Sequence, residues 1–414
     1  MLDLIKLSQQ MQGISQHLTH EAAATRQRLE LAQRLLAAAH TRQAELVTQL
    51  QAGRDRLSFT AAEPMEPLNT RVDLTIAPSC HTVIATDGSQ IAPSHHEIAY
   101  CYLINVGRII LHYGQGLQPL LDSLPEVFYR PEDLYVSRQW GIRTEEWMSY
   151  RRTVSEATVL AELAIAWKEE GQQYRDQTGQ LSFLHSSPLT ADGLPPVLAM
   201  VDGSLIYWFL EGLPGEARDR ILPPILEAWE QLRLAKVPLI GYISASRSGE
   251  ALNFLRLHTC PYNTPDCQTH CTGADRAPCD VLDPLKDAAI WTVLLEPGQR
   301  SPLWRSSAHI LDLYEDHRIY FCYVHVGTEV ARVEFPAWVA EDSTLLDIAL
   351  NLTLAQVQKG YGYPVALAEA HNQAVVRGGD RTRFFALLEQ QMIRAGLKNV
   401  GTSYKEARKR GSIA

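Results

Sequence analysis

Two short apolar runs, TVIAT at 82–86 and VLAMV at 197–201, each end in the same step, Asp-Gly-Ser, at 87–89 and 202–204. Five apolar or β-branched residues before a glycine-bearing turn predict a buried strand. An acid at the C-terminal end of such a strand is held rigidly, at the crevice where open α/β sheets place their ligands. Glycine beside it lets the chain turn sharply or lets another group come close. The serine offers a hydroxyl that orients the carboxylate or caps the next element. A single Asp-Gly is a common turn signal; two copies, each after an apolar strand, point instead to a pair of convergent carboxylates.

The rest of the chain is organised around these steps. Residues 1–58 contain no proline and only two glycines, and carry Leu29, Leu31, Leu35, Leu36, Leu46 and Leu50 at helical spacing. They predict a helical arm, over 1–60, packed on a partner or on the body of the protein. A proline-containing stretch at 61–80 reads as a linker, and 81–400 as one α/β domain. Within it the pattern predicts strands at 98–106 and 108–113 joined near Gly107, an irregular aromatic-rich stretch at 118–147 and a helix at 149–171. A polar loop to 196, a helix at 216–235 and a strand at 237–244 follow. Further strands at 319–327 and 330–335 precede helices at 343–358, 364–376 and 381–395. This alternation predicts a mixed sheet flanked by helices.

Of the 414 residues 46% are apolar and 21% charged, which suits a globular chain able to bury sizeable cores. No uncharged apolar run reaches membrane-spanning length and no secretory pattern opens the chain, so a cytoplasmic location is expected. A net charge of −9 excludes a surface that coats nucleic acid throughout, but not a local basic groove. Convergent carboxylates fit phosphodiester hydrolysis, in which two divalent ions roughly 4 Å apart activate water and stabilise the leaving oxygen. Oxygen donors suit Mg²⁺ or Mn²⁺. The helix between the two steps offers a third acid, Glu156 or, nearly two turns later, Glu162.

The stretches ATDGSQ at 85–90, RTVSE at 152–156, VDGSL at 201–205, YPVALAEAH at 363–371 and SYKEARKR at 403–410 stand in this order along the chain. Together they resemble the NurA nucleases, over about 80–410. The resemblance implies an RNase H-like α/β core and Mn²⁺ (or Mg²⁺), two ions, as cofactor. It implies 5′-to-3′ exonuclease and single-strand endonuclease activity on DNA in end resection and double-strand break repair. A homodimer working with a hexameric HerA-type ATPase is implied as well. Carried over by position, Asp87, Glu156 and Asp202 become acidic metal ligands, His371 a further ligand or proton-handling group, and Tyr363 a residue beside the reacting phosphate. The eight-residue interval from Tyr363 to His371 is about two helical turns, with Pro364 at a helix start. The chain departs from the family at Arg247, where a lysine is expected, and in a long polar insertion that keeps Glu162 in play. An ion pair between Glu156 and Arg152, one helical turn away, is the structural alternative for the helix glutamate. A phosphohydrolase acting on another ester and a non-catalytic scaffold for a translocase are the competing functions.

DNA contacts are expected from Arg151, Arg152, Arg247 and the tail residues Lys405, Arg408, Lys409 and Arg410, against which stands a solvated basic tail over 401–414. Tyr207 and Trp208 read as core rather than as stacking platforms. Cys80, Cys101 and Cys322 are scattered among apolar segments, whereas Cys260, Cys267, Cys271 and Cys279 crowd into a Pro- and Gly-bearing insertion at about 258–282. The intervals of six, three and seven residues match no paired zinc pattern and no common cluster run. Structural Zn²⁺, an iron–sulfur cluster and free thiols all stand open for this loop.

Overall fold

The computed structural model describes residues 3–93, 99–178 and 193–396. It divides into two compact units, 1–75 with 242–337 and 76–241 with 338–414. Eleven strands occur among the described residues: β1 (Ala62–Pro64), β2 (Val72–Asp73), β3 (His81–Ile91), β4 (Tyr102–Tyr113), β5 (Leu120–Phe128), β6 (Val197–Asp202), β7 (Leu239–Ile243), β8 (Gln299–Arg300), β9 (Trp304–Ser306), β10 (Ile319–His325) and β11 (Val330–Pro336). Pairing is both parallel and antiparallel, and helices flank the strands, so the chain is a mixed α/β protein. No helix among the described residues is long and apolar enough to cross a membrane.

The first unit pairs its strands antiparallel, β1 with β9, β9 and β11 with β10, and β8 with both β10 and β2. Its core gathers Phe254, Trp291, Trp304, Phe321 and Tyr323. Ala32, Leu36 and Ala39 of the Leu4–His40 helix, with Leu46 and Leu50 of the Gln43–Gly53 helix, join that core. The second half of the helical arm is therefore packed on its own unit, while Leu4, Met11, Ile14 and Leu18 near its start are exposed. Ala61, Ala62 and Leu68 are fully buried, so much of the stretch read as a linker is packed structure with two short strands.

Charge is buried here in paired form, as burial requires. Arg332 bonds Glu250 at 2.8 Å and Glu334 at 2.7 Å. Asp287 accepts the Ala251 and Leu252 backbone N–H groups at 3.0 and 2.9 Å, satisfying free donors at the start of the Glu250–Thr259 helix. Burial pushes the Asp287 carboxyl up to about 6, against those hydrogen bonds.

The second unit is organised by β3. It pairs antiparallel with β4 along its whole length and parallel with β6 from Thr82↔Val197 to Thr86↔Val201. Asp87 stands opposite Gly107 in the antiparallel register, so both face the same side of the sheet, and Gly88 faces the other. The Val365–Ala374 helix packs on the first side and the Thr144–Thr178 helix on the second.

Four expectations are corrected. Residues 102–113 form one strand, not a hairpin turning at Gly107; of the segment predicted from 98, Ile98 lies outside the described residues. Gly107 is in mid-strand because a helix rests on it: a Cβ there would come within 2.6 Å of Ala374 N and would meet Ala370 O. The stretch 118–147 holds an edge strand, β5, rather than only irregular chain; its residues are mostly exposed, so no apolar alternation marks it. The first Asp-Gly-Ser step lies inside β3, which continues to Ile91, not at the end of a strand. The helix predicted from 149 begins at Thr144 and reaches Thr178, and the predicted polar loop at 179–192 lies outside the described residues.

If helix contact is what demands glycine at 107, even Gly107→Ala drives Cβ into backbone that cannot rotate away. The variant should lose about 2 kcal/mol or more, overpacking being typically that costly. Thermal unfolding followed by circular dichroism should fall by about 5 °C or more. An unchanged Tm would mean that the Val365–Ala374 helix does not rest on β4.

Candidate active site

The parallel register sets the two aspartates. The β3–β6 ladder ends at Thr86↔Val201, so the next residue of each strand, Asp87 and Asp202, lies just past the last parallel pair. The two glycines that follow serve different physical needs. Gly203 has φ +103, a conformation L side chains rarely adopt, and turns the chain out of β6. Gly88 remains extended within β3; a Cβ there would strike Glu156 Oε1 and approach Arg152 Cγ to 2.6 Å. Its bare backbone admits the Thr144–Thr178 helix to the strand. Thr86 fastens the same contact, its Oγ1 donating to the Glu156 carbonyl at 3.0 Å.

Glu156 thereby reaches the aspartates. Burial pushes its carboxyl up to about 8; Arg152 opposes the shift, and the Asp87 and Asp202 charges add to it. The Gly88 backbone N–H donates to the Glu156 carboxylate and also faces Asp87 Oδ1 at 2.8 Å. Arg152 Nε lies 3.2 Å from Glu156 Oε1, so the ion pair and the acid cluster are both present. Glu162 is exposed, and its charge acts on Arg108.

The second side of the sheet supplies the other two groups. A carboxylate oxygen accepts, so His371 Nδ1–H donates to Asp87 Oδ2, at 2.8 Å. The ring is 66% exposed, which leaves Nε2 accessible to solvent or substrate. The Tyr363 hydroxyl donates to the Asp202 carboxyl, whose pKa is raised by burial and by Asp87 and lowered by Tyr363 and His371. Asp87, Glu156, Asp202, Tyr363 and His371, from two strands, two helices and a helix-preceding loop, are thus linked by hydrogen bonds or charge.

Three anchors of this arrangement escaped the sequence reading. Ser89 Oγ and Asn105 Nδ2 both donate to the Ala374 carbonyl, the latter at 2.8 Å, pinning the end of the helix that carries His371. Thr86 is the third. Asn105 had a signal, a lone amide in the apolar run YLINV, since a buried polar group must find a partner. The serines of the two steps serve different partners: Ser89 Oγ donates to the Ala374 carbonyl, and Ser204 Oγ accepts the Ile206 N–H at 3.0 Å.

The basic residues are dispersed. Arg151 lies over the Phe128 ring, 5.7 Å from its centroid. Arg247 belongs to the other unit. Lys405, Arg408, Lys409 and Arg410 lie outside the described residues. Tyr207 is core, packed near Phe209 and Trp229, whereas Trp208 is 40% exposed, which corrects its reading as core.

Oxygen donors of this kind suit a hard divalent cation, and the repulsion by which Asp87 and Asp202 raise the Glu156 pKa, and Asp87 that of Asp202, is one that a cation relieves. As they lie, no three His, Cys, Asp or Glu side chains among the described residues share the spacing of a single ion.

The model of the NurA domain matches residues 81–376. A solved structure, that of the NurA nuclease from Sulfolobus solfataricus, aligns at 14% identity with a TM-score of 0.45, covering 80% of this chain and 89% of that one. No curated protein matches.

The charge balance at Glu156 has a sign that can be measured. Its folded-state pKa of about 8 lies above the ordinary value of 4.5, so the folded protein binds this proton more tightly than the unfolded chain. The associated stability is complete below pH 4.5 and is lost as pH rises through 8. In EDTA, Glu156→Gln should unfold near the wild-type temperature at pH 5 and several degrees above it at pH 9. A constant difference across that range would show that Glu156 is not held protonated.

Proposed function

The chain belongs to the NurA family, and on that premise we propose that it is a divalent-metal-dependent DNA nuclease whose reaction centre is Asp87, Glu156, Asp202, Tyr363 and His371. The observation that carries the proposal is the largely, not fully, buried Glu156, brought within electrostatic reach of Asp87 and Asp202 by a helix resting on Gly88. Three acids from three separate elements, mutually repelling, are costly to a fold unless a cation or a reaction uses them.

Mn²⁺ or Mg²⁺, two ions in this reading, would be held by the three carboxylates with His371 as a further donor, and would polarise the phosphodiester and activate water. The protein's own groups have separable tasks. Tyr363 fixes the Asp202 carboxyl through its hydroxyl. Asp87 holds His371 by Nδ1–H, which leaves a neutral ring's Nε2 with a free lone pair, able to take a proton from water. Glu156, whose carboxyl burial pushes up to about 8, would be drawn toward its anionic form by a cation held beside it. Arg152 keeps that carboxyl oriented meanwhile.

An RNase H-like core, 5′-to-3′ exonuclease and single-strand endonuclease action in DNA end processing, a homodimer, a HerA-type ATPase partner and a cytoplasmic setting follow from the family resemblance and complete the proposal. Arg151, Arg152, Arg247 and the basic tail are its DNA-contact residues.

With the purified full chain and labelled single- and double-stranded DNA, cleavage should require Mn²⁺ or Mg²⁺ and stop in EDTA. Asp87→Ala and Asp202→Ala should each lower the rate by about 100-fold or more while leaving the circular dichroism spectrum unchanged, as expected when a ligand of the reaction's metal is removed. Cleavage that persists in EDTA, or wild-type rates in both variants, would overturn the assignment. Hydrolysis of small phosphate esters without DNA cleavage would transfer it to another phosphohydrolase.

A further inference from the structure

The four crowded cysteines belong to the first unit, apart from the chemistry proposed above. Cys260 follows directly on the Glu250–Thr259 helix, Cys267 opens the short Cys267–His270 helix, Cys271 follows it, and Cys279 lies on the return of the loop. Their intervals of six, three and seven residues match no paired zinc pattern, yet the fold gathers them. All four line one cavity, beside Leu57 and Phe59. Cys271 is in hydrogen-bond contact with Cys267 and feels the charge of Cys279 and Cys260; Cys260 in turn feels that of Cys279 and Cys267. None is in a disulfide.

The inside of this loop is made of sulfur. Between 261 and 280 the buried residues are Pro265, Cys267 and Cys279, and most of the others are exposed. A segment with so little apolar surface to bury gains little from the hydrophobic effect. Thr259 Oγ1 donates to the Cys279 carbonyl at 3.1 Å across its base, and Gln268 Nε2 to the Asp55 carbonyl at 3.1 Å. A bound metal ion supplies the cross-link that a core would otherwise give.

Size and chemistry select the ion. The cavity is about 10 Å³, the space of one water, which admits a single ion and excludes an assembly of several metal and sulfide atoms. Four thiolates on one Zn²⁺ have Zn–S of about 2.3 Å and hence S···S of about 3.8 Å, close to the separation of two sulfurs in hydrogen-bond contact, as Cys267 and Cys271 are. As thiols, no three of them share the spacing of a bound ion. Binding exchanges their protons for metal: four S–H protons leave as four Zn–S bonds form. Two neighbours favour the thiolate form. The Tyr262 backbone N–H donates to Cys260 Sγ. Arg256 lines the cavity with its Nε buried and without a hydrogen-bond partner, a positive charge beside four thiolates that outnumber the two charges of zinc.

We propose that Cys260, Cys267, Cys271 and Cys279 hold one structural Zn²⁺ ion, tetrahedral in sulfur, that fastens this loop against Leu57 and Phe59 at the end of the helical arm. Thiolate donors select zinc over the Mg²⁺ or Mn²⁺ that suits carboxylates, so the two sites do not compete for metal. The ion takes no part in DNA cleavage.

The test is the full chain, produced with zinc and purified under reductant without chelator. Elemental analysis should find one zinc per chain, kept by Asp87→Ala and lost by Cys271→Ser. Zinc-free chain given Co²⁺ alone should show the sulfur-to-metal absorption of tetrahedral thiolate coordination, which carboxylate and imidazole donors do not give. Iodoacetamide labelling read by mass spectrometry should spare the four loop cysteines until the zinc is stripped, and label them afterwards. That pattern identifies the ligands even where the Cys271 variant fails to fold. Trypsin should cut after the exposed Arg276 at least about tenfold faster once the ion is gone, because the loop then opens locally. Iron with acid-labile sulfide in place of zinc, no metal after reconstitution with zinc, a cobalt spectrum without sulfur ligation, or zinc bound while the loop cysteines stay reactive would each overturn the proposal.

Discussion

The arrangement of the candidate site depends on one register. β3 and β6 pair in parallel over five residue pairs, and that ladder ends at Thr86 and Val201. Because neighbouring strands lie under 5 Å apart, the residues that follow cannot be far from one another. Asp87 and Asp202 are brought together by backbone hydrogen bonds, not by flexible side chains. A slip of one residue would turn Asp87 to the opposite face, away from His371, and would put Gly88 where the Val365–Ala374 helix now packs.

On that frame the two flanking helices approach unusually closely, and glycine is the means on both sides. Gly88 admits the helix bearing Glu156, and Gly107 admits the helix bearing His371. Thr86, Ser89 and Asn105 then spend their hydrogen bonds on the backbone of those same helices. Position is thus set by main chain and by short side chains with few rotamers. Burial of Glu156 beside two aspartates leaves an electrostatic imbalance, a feature of functional sites more than of cores.

The first unit treats buried charge differently. Arg332 is matched by Glu250 and Glu334, and Asp287 by backbone N–H groups and the Tyr323 hydroxyl. Each charge there has a partner of opposite sign or an aligned donor, which is the signature of a structural network. The acids gathered at Glu156 are matched less evenly than those of the first unit, Arg152 alone opposing the charges of Asp87 and Asp202 there.

Much of this was legible in the residues themselves. The paired Asp-Gly-Ser steps, the helix with Arg152 and Glu156, the Tyr363–His371 segment and the crowding of four cysteines are local patterns, written in neighbours along the chain, where apolar period and residue chemistry speak directly. Three-dimensional structure decided what depends on neighbours far away in sequence. It distinguished Glu156 from Glu162, since only the first faces the aspartates. It turned Gly107 from an apparent hairpin turn into a helix seat, and it carried β3 through its aspartate to Ile91. Edge strand β5 was hidden because exposed residues need no apolar pattern. The reason is common to all of these: a sequence states what each residue prefers, whereas close approach, shared burial and charge repulsion exist only between groups that folding brings together.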